Sequence, residues 1–126
     1  MIRDPYLTDI VAQKKCWEIR GFQTKIRGRI GLIKSRSGHV FGEATLADVL
    51  GPLTLEKMFN TPEIGPNDLA ELEQTMELPY ADEFGNSKTY AWVLTNIVAY
   101  QPPVPYQHPS GAVTFVDLEH LRNDET

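Results

Sequence analysis

The order of apolar and polar positions divides the chain into helical and extended segments. Apolar side chains recur at helical spacing over residues 6–13, and Asp4-Pro5 supplies a typical cap and first-turn proline. Over Cys16–Arg20 the pattern changes to alternation, which predicts a strand with Trp17 and Ile19 facing the core. A short helix therefore leads directly into a first strand.

Two β-rich runs follow, Gly28–Ser35 and His39–Leu50. The segment Arg36-Ser37-Gly38 between them predicts a hairpin in which Gly38 has a positive φ. The nearly unbroken apolar character of residues 30–33 indicates a strand that is buried on much of both faces. Such a strand is typical of a small closed barrel.

The second half begins with two short predicted helices, over residues 54–59 and 68–73, with Thr54 and Asn67 as caps. Residues 90–100 return to β character, and the prolines at 102, 103 and 105 are expected to end that strand. A last strand is predicted over residues 112–117. The order of elements predicts an α+β fold with a mostly antiparallel, barrel-like sheet and flanking short helices.

Length and composition fit one soluble domain: the chain has 126 residues, 41% of them hydrophobic. We expect that domain to span residues 1–118, with a polar tail over 119–126. The single cysteine and three scattered histidines exclude a disulfide framework and give no metal-ligand spacing, so no metal or cofactor is expected. The apolar runs are too short to span a membrane and the start does not resemble a signal peptide, which predicts a cytoplasmic protein.

Charge is distributed unevenly along the chain, although the net charge is -5. Residues 1–36 carry nine Lys and Arg against three Asp and Glu, a net charge of +6. Residues 37–126 carry three against fourteen, a net charge of -11. Clustered cations act locally, so the first third is a candidate anion-binding surface on an acidic body. The alternative is a set of strand-edge and turn cations without a ligand.

The most informative charges are Lys15, Glu18 and Arg20, which lie where the first helix joins the first strand. Glu18 and Arg20 share one face of that strand, and Lys15 is close enough in sequence to join them. The three residues are therefore a candidate charged cluster for ligand binding. The alternative is an exposed Glu18–Arg20 pair that contributes about 0–1 kcal/mol to stability.

The segment Lys15-Cys16-Trp17-Glu18-Ile19-Arg20 resembles the signature G-x-K-x-x-E-x-R of the ASCH domain, a member of the PUA-like superfamily. Residues 5–6, 28–33, 42–48, 90–94 and 103–113 resemble the family's other segments in the same order, so the resemblance covers almost the whole chain. Gln13 is a departure, because the signature has glycine there.

The resemblance implies a barrel beside a basic cleft that receives RNA or a nucleoside-like small molecule, with Lys15, Glu18 and Arg20 on the cleft floor. The basic run Lys25–Arg36, with Lys25 and Arg27 as candidate ligand contacts, would extend the cleft as a track for a phosphate backbone. The closing segment adds the candidate ligand contacts Tyr106, His108 and Ser110. Tyr106 is the best candidate for base stacking, whereas Trp92 is expected to lie in the core.

The resemblance also allows a hydrolase. In proteins similar to an N(4)-acetylcytidine amidohydrolase, the signature lysine activates a threonine three residues later, assisted by a mid-chain glutamate. Here Glu18 occupies the threonine position, so Lys15 and Glu18 would act through an activated water, and the assisting residue is Glu63 or Glu71.

A ribonuclease is the other hydrolytic alternative, with His108 as base, Lys15 on the phosphate, and Ser110 or Tyr106 as acid. A third hypothesis is a protein-interaction module that uses the acidic residues between positions 56 and 83. A run of acids is usually a solvated face. Among these functions, the resemblance favours the binding of RNA or a nucleoside-like ligand at Lys15, Glu18 and Arg20, with the hydrolase and the interaction module as alternatives.

Overall fold

The computed structural model describes residues 2–105 and 116–117 of the chain. The helices are α1 (Tyr6–Val11), α2 (Leu55–Phe59) and α3 (Pro66–Thr75), with a 3-10 turn at Pro62–Ile64. The strands are β1 (Trp17–Arg20), β2 (Gly28–Ile33), β3 (His39–Leu50), β4 (Tyr90–Pro105) and β5 (Val116–Asp117). No helix in these ranges is long and apolar enough to cross a membrane.

The strands form one antiparallel sheet in the order β1-β4-β3-β2-β5, which confirms the α+β class and the antiparallel pairing. Within the described residues β1 and β5 are sheet edges, so the sheet is open where the apolar run in β2 favoured a closed barrel. Ile30 and Leu32 are nevertheless buried, because the N-terminal segment and α1 cover that face with Ile2, Leu7 and Ile10.

The hairpin between β2 and β3 is confirmed, and Gly38 has a φ of +66°. Of the predicted last strand, residues 116 and 117 pair with β2. Residues 112–115 and the predicted tail over 119–126 lie outside the described residues.

The prediction that the prolines end β4 at residue 100 is wrong. The strand continues to Pro105, with His39 opposite Pro105 and Val40 opposite Val104. β1 pairs only with residues 90–93 of β4, so the prolines lie where β4 has a single described neighbour. There a proline can follow an extended path without removing a second ladder of hydrogen bonds.

Of the three predicted helix caps, one is confirmed and two are wrong. At α1 the cap position is Pro5 and not Asp4, and Asp4 Oδ1 accepts a hydrogen bond from the Thr8 N–H at 3.2 Å. Thr54 caps α2, since its Oγ1 accepts a hydrogen bond from the Lys57 N–H at 3.1 Å. Asn67 does not cap α3, because the helix begins one residue earlier at Pro66, whose fixed φ suits a first helical turn. The Asn67 amide instead donates to Asp9 Oδ2 at 2.7 Å and so satisfies a buried carboxylate.

Two hydrophobic clusters pack on the sheet, and the edge strand β1 contributes to the second. The first joins α1 to the middle strands, and the second joins Ile19 and Ala91 to residues of α2, α3 and the 3-10 turn. The predicted inward orientation of Trp17 and Ile19 is confirmed, since both pack in the second cluster. The outer side of β1 faces the region where α1 and α3 meet, and this region holds the site.

Candidate functional site

A cavity of about 360 Å³ lies along β1, with walls from all three helices and the segment 77–80. Its polar and aromatic lining consists of Arg3, Tyr6, Glu18, Arg20, Asp68, Glu71, Thr75, Glu77 and Tyr80. Its apolar lining consists of Ile2, Ile19, Met58, Leu72, Leu78 and Pro79. This volume is near the lower end of the range for small-molecule sites.

The turn after α1 directs Lys15 into the protein. The Lys14 N–H donates to the Asp9 carbonyl at 2.8 Å and the Gln13 N–H to the Ile10 carbonyl at 2.9 Å, the pair of bonds that ends a helix in a Schellman motif. Gln13 has a φ of +61°, in the left-handed region that favours glycine. The departure from the signature glycine therefore changes the residue but not the turn.

Lys15 is fully buried, and its ammonium is surrounded by protein oxygens. Nζ donates to Asp68 Oδ2 at 2.6 Å and to the Ile64 carbonyl at 2.9 Å, and it lies 3.9 Å from Glu18 Oε1. Gly65 has a φ of +94°, and a Cβ built there would lie 2.7 Å from Lys15 Cβ. Lys15 is thus enclosed behind the cavity wall. The resemblance implied that Lys15 lies on the cleft floor, but it does not line the cavity.

Glu18 and Arg20 both line the cavity, on the shared face of β1 that the alternation predicts. Glu18 Oε1 accepts from the backbone N–H of Ile19 at 3.1 Å, and Glu18 Oε2 lies 3.7 Å from an Arg20 guanidinium nitrogen. Glu18 is buried, because α3 and Lys15 cover a face that on an isolated strand would be solvated. The predicted cluster of three charges therefore forms, with Glu18 between the two cations.

Asp68 joins this cluster from α3, and sequence reasoning missed it by counting it among the solvated acids. Burial raises the pKa of its carboxyl to about 6, and the neighbouring Lys15 ammonium only partly opposes that effect. The sequence holds one signal for Asp68, because positions 68, 71, 72 and 75 lie on one face of a helix. In the structure all four residues line the cavity.

Glu71 is the mid-chain glutamate that reaches the cavity, where its Oε2 accepts a hydrogen bond of 2.5 Å from the Tyr6 hydroxyl. That bond, together with burial, raises the pKa of Tyr6 to about 12. Glu63 is exposed, and its backbone carbonyl accepts from the Cys16 N–H at 2.8 Å. Of the two glutamates that the sequence left open, Glu71 is therefore the one that lines the cavity, and its role stays a prediction.

Of the other predicted ligand contacts, the two that the structure describes, Lys25 and Arg27, do not line the cavity. Lys25 and Arg27 are exposed in the segment that follows β1, and Arg27 lies 3.8 Å from Asp48. Tyr106, His108 and Ser110 lie outside the described residues, so their roles stay predictions. Trp92 is a core residue as predicted, and its Nε1 donates to the Phe22 carbonyl at 3.0 Å.

The charge of the cavity wall differs from the basic cleft that the resemblance implied. Its lining contains four carboxylates and two guanidinium groups. Cations from β2 and the turn after it pair with acids elsewhere, Arg29 with Glu43 at 3.3 Å and Lys34 with Asp4 at 3.0 Å. In the described part of the chain, no group of three or more His, Cys, Asp and Glu is placed to hold a metal ion.

Comparisons with known proteins agree on one family. The ASCH domain model matches residues 1–104. The crystal structure of ASCH from Zymomonas mobilis is 16% identical and covers 98% of this chain and 90% of its own, with a TM-score of 0.66.

Two mutant proteins of that Zymomonas mobilis ASCH give similar values. A tyrosine-to-phenylalanine mutant is 16% identical, covers 98% and 92% of the two chains and has a TM-score of 0.65. A serine-to-alanine mutant is 17% identical, covers 98% and 90%, and has a TM-score of 0.63. At this identity the likeness shows a shared fold. A search of curated proteins gave no match.

Proposed function

Because the chain belongs to the ASCH domain family, we propose that it binds a nucleoside-like ligand in the cavity beside β1, either free or as one nucleotide of an RNA. The observation that carries this proposal is the composition of the wall. Arg20, four carboxylates and the rings of Tyr6 and Tyr80 surround a volume of about 360 Å³. A nucleoside has the flat ring, polar edge and compact size that such a wall accommodates.

The polar groups of the wall suit the edge of a base. Carboxylates accept hydrogen bonds from exocyclic amines, and a guanidinium donates to carbonyl and ring nitrogen acceptors. Glu18 and Arg20 offer one group of each kind side by side on β1. Leu72 and Leu78 add apolar surface against which a base can lie.

The excess of carboxylates also limits which part of a nucleotide enters the cavity. A phosphate placed among Glu18, Asp68 and Glu71 would meet repulsion that the two guanidinium groups of the wall offset only in part. The base is therefore the part that enters, while the phosphates stay outside. This orientation differs from the expectation that cations of the cleft contact the phosphate backbone.

Titrations of the protein with cytidine, uridine, adenosine and guanosine test this proposal. We expect at least one of the four to bind. The Arg20→Gln variant should weaken that binding by about 10-fold or more, because it loses a charged hydrogen bond. Arg27→Gln is the matched control, since this exposed arginine does not line the cavity.

The proposal fails if none of the four nucleosides binds, or if Arg20→Gln binds as tightly as the parent protein. Thermal unfolding of each variant separates a lost contact from a lost fold. Glu71→Gln is a second variant that separates a lost contact from a lost fold, because it removes a carboxylate from the cavity wall while keeping the shape of the side chain.

Hydrolysis of the bound nucleoside is a second candidate function, and Asp68 is the observation that favours it. A carboxyl group with a pKa of about 6 is suited to accept a proton from water near neutral pH. Lys15 is enclosed and Glu18 has no hydroxyl, so the lysine–threonine pair of the amidohydrolase pattern is not available. Lys15 would then act by holding Asp68 in position.

Incubation with N(4)-acetylcytidine and with a mixed single-stranded RNA, followed by chromatography, tests for turnover. Deacetylation would give cytidine and acetate, and the product should disappear in Asp68→Asn but persist in Asp82→Asn, a partly exposed acid that does not line the cavity. Absence of product from both substrates would remove the hydrolase and leave the binding function.

A further inference from the structure

We propose that Phe22 and Tyr80, with the cations Lys25 and Arg27, form a second binding surface that takes the next nucleotides of a single-stranded RNA whose base occupies the cavity. This inference rests on the proposed function, since it extends the same site. It adds that the natural ligand is a strand and that the segment 21–27 binds it outside the cavity. Stacking on aromatic rings beside cations is how proteins hold single strands.

Phe22 is exposed to solvent although the structure holds its position. Its side chain keeps 46% of its surface accessible, and its ring packs edge-to-face on Trp92 with a centroid distance of 5.4 Å. The Phe22 carbonyl accepts from Trp92 Nε1 at 3.0 Å, which fixes the backbone as well. A ring that is held outward loses little conformational freedom when a base stacks on it.

The surface is continuous with the cavity. Arg20 lines the cavity and Phe22 follows two residues later, with Gly21 between them. The Tyr80 ring lies directly against Gly21, since a Cβ built there would be 2.6 Å from Tyr80 Cδ1. Tyr80 itself lines the cavity and is 42% exposed, so it connects the cavity to Phe22.

The charge of the segment also suits a phosphate backbone. Residues 21–27 contain Lys25 and Arg27 and no acid, and both cations are exposed. The Arg27 guanidinium donates to the carbonyls of Thr24 and Ile26 at 2.8 Å each, which orders the loop around it. Phosphates excluded from the acidic cavity would therefore meet cations in the segment that leads away from Arg20.

A second exposed phenylalanine provides a matched control. Phe84 is 81% exposed at a turn that Asp82 orders by accepting from the N–H groups of Phe84 and Asn86, each at 2.9 Å. Its neighbours Asp82 and Glu83 are acidic, so a phosphate backbone is repelled there. Exposure alone would favour Phe84 as the stacking residue, whereas the neighbouring charges and continuity with the cavity favour Phe22.

The experiment compares nucleosides with strands. Fluorescence anisotropy measures binding of single-stranded octamers of uridine, cytidine and adenosine, and calorimetry measures the three corresponding nucleosides. We expect the preferred octamer to bind more tightly than its nucleoside. Phe22→Ala should weaken octamer binding by about 5- to 150-fold, the range for losing one stacked base, without changing nucleoside binding. Phe84→Ala should change neither.

Two further variants guard against unfolding and test the phosphate contacts. Phe22→Leu keeps apolar packing on Trp92 but removes the aromatic face, so it should weaken octamer binding while preserving the melting temperature. The double variant Lys25→Ala, Arg27→Ala should reduce the dependence of octamer binding on salt concentration.

The outcomes separate the two proposals. If a nucleoside binds but its octamer binds no more tightly, or if Phe22→Ala and Phe84→Ala behave alike, the second surface is overturned while the cavity proposal stands. If no nucleoside binds but an octamer binds through Phe22, the cavity proposal fails and so does the continuous site, although Phe22 would still be an RNA contact. A basic or acidic protein that binds through Phe22 where no octamer does would also overturn the inference.

Discussion

Two regions of the molecule contain the same kinds of charged residue in different surroundings. Beside β1, Lys15 and Asp68 lie 2.6 Å apart, with side chains 0% and 15% exposed. Near the hairpin, Lys34 and Asp4 lie 3.0 Å apart, with side chains 40% and 38% exposed. Both are Lys–Asp ion pairs, but only the first is largely buried and adjoins the cavity.

The difference shows that a count of cations along the chain does not locate a basic surface. Among the residues of the basic third, Lys15 neutralises a buried carboxylate, and Arg29 and Lys34 pair with acids on the surface. Water and salt screen the exposed pairs, whereas a buried pair must be complete to be stable. The predictions below compare the two regions.

The largest effect is expected from Lys15→Met. This change leaves Asp68 and Glu18 in the cluster without their ammonium partner, and the free energy of unfolding should fall by about 3–5 kcal/mol. Lys34→Met, which breaks the exposed pair, should lower it by about 0–1 kcal/mol. Denaturant titrations measure both values, and equal losses would show that burial does not distinguish the two pairs.

Gly65→Ala should have the next largest effect. The new methyl would approach Lys15 Cβ to 2.7 Å at a residue whose φ is +94°, so strain and overlap act together. We expect a loss of about 2–4 kcal/mol, measured by denaturant titration. Gly38 has a φ of +66°, and a Cβ built there has no atom within 4 Å. The Gly38→Ala variant should therefore lose only about 1 kcal/mol of unfolding free energy. A similar loss at both glycines would remove the argument that Lys15 needs this close approach.

The pH dependence of stability should have opposite signs for two acids. Burial raises the pKa of Asp68 from 3.8 to about 6, so between these values the folded state binds more protons than the unfolded state. Its contribution to stability is present below pH 4 and is lost as the pH rises through 6. Hydrogen bonds from Asn86 lower the pKa of Asp82, so its contribution to stability is instead lost as the pH falls below 4.

Unfolding free energies of the parent protein, Asp68→Asn and Asp82→Asn across pH 3 to 7 measure these slopes. Relative to Asp68→Asn, the parent should lose stability on going from pH 4 to pH 6. A parent that gains stability over that interval would mean that Lys15, and not burial, sets the pKa of Asp68.

Tyr6→Phe should produce the smallest effect. It removes the hydrogen bond to Glu71 at the rim of the cavity and should lower stability by about 0.5–1.5 kcal/mol. Because the phenol is then absent, a spectroscopic titration should lose the tyrosine with a pKa of about 12. If all tyrosines of the parent titrate together near pH 10, the hydrogen bond is weaker than its length indicates.

Local rules were sufficient for several elements. Alternation identified β1, the positive φ of Gly38 closed the predicted hairpin, and Thr54 capped α2. Each of these depends on residues next to one another in the chain, where propensity and capping act. The same rules failed at Asn67, which donates to Asp9 far away in the sequence, and at the prolines of β4, where the described strands give β4 a single neighbour.

The sequence by itself determined the family, the order of the elements and the presence of Lys15, Glu18 and Arg20 at the start of β1. Only the tertiary structure decided that α3 places Asp68 and Glu71 against them, that Lys15 is enclosed, and that the cavity wall is acidic. The physical reason is that burial and charge pairing act between residues 53 or more positions apart, where no local pattern records them.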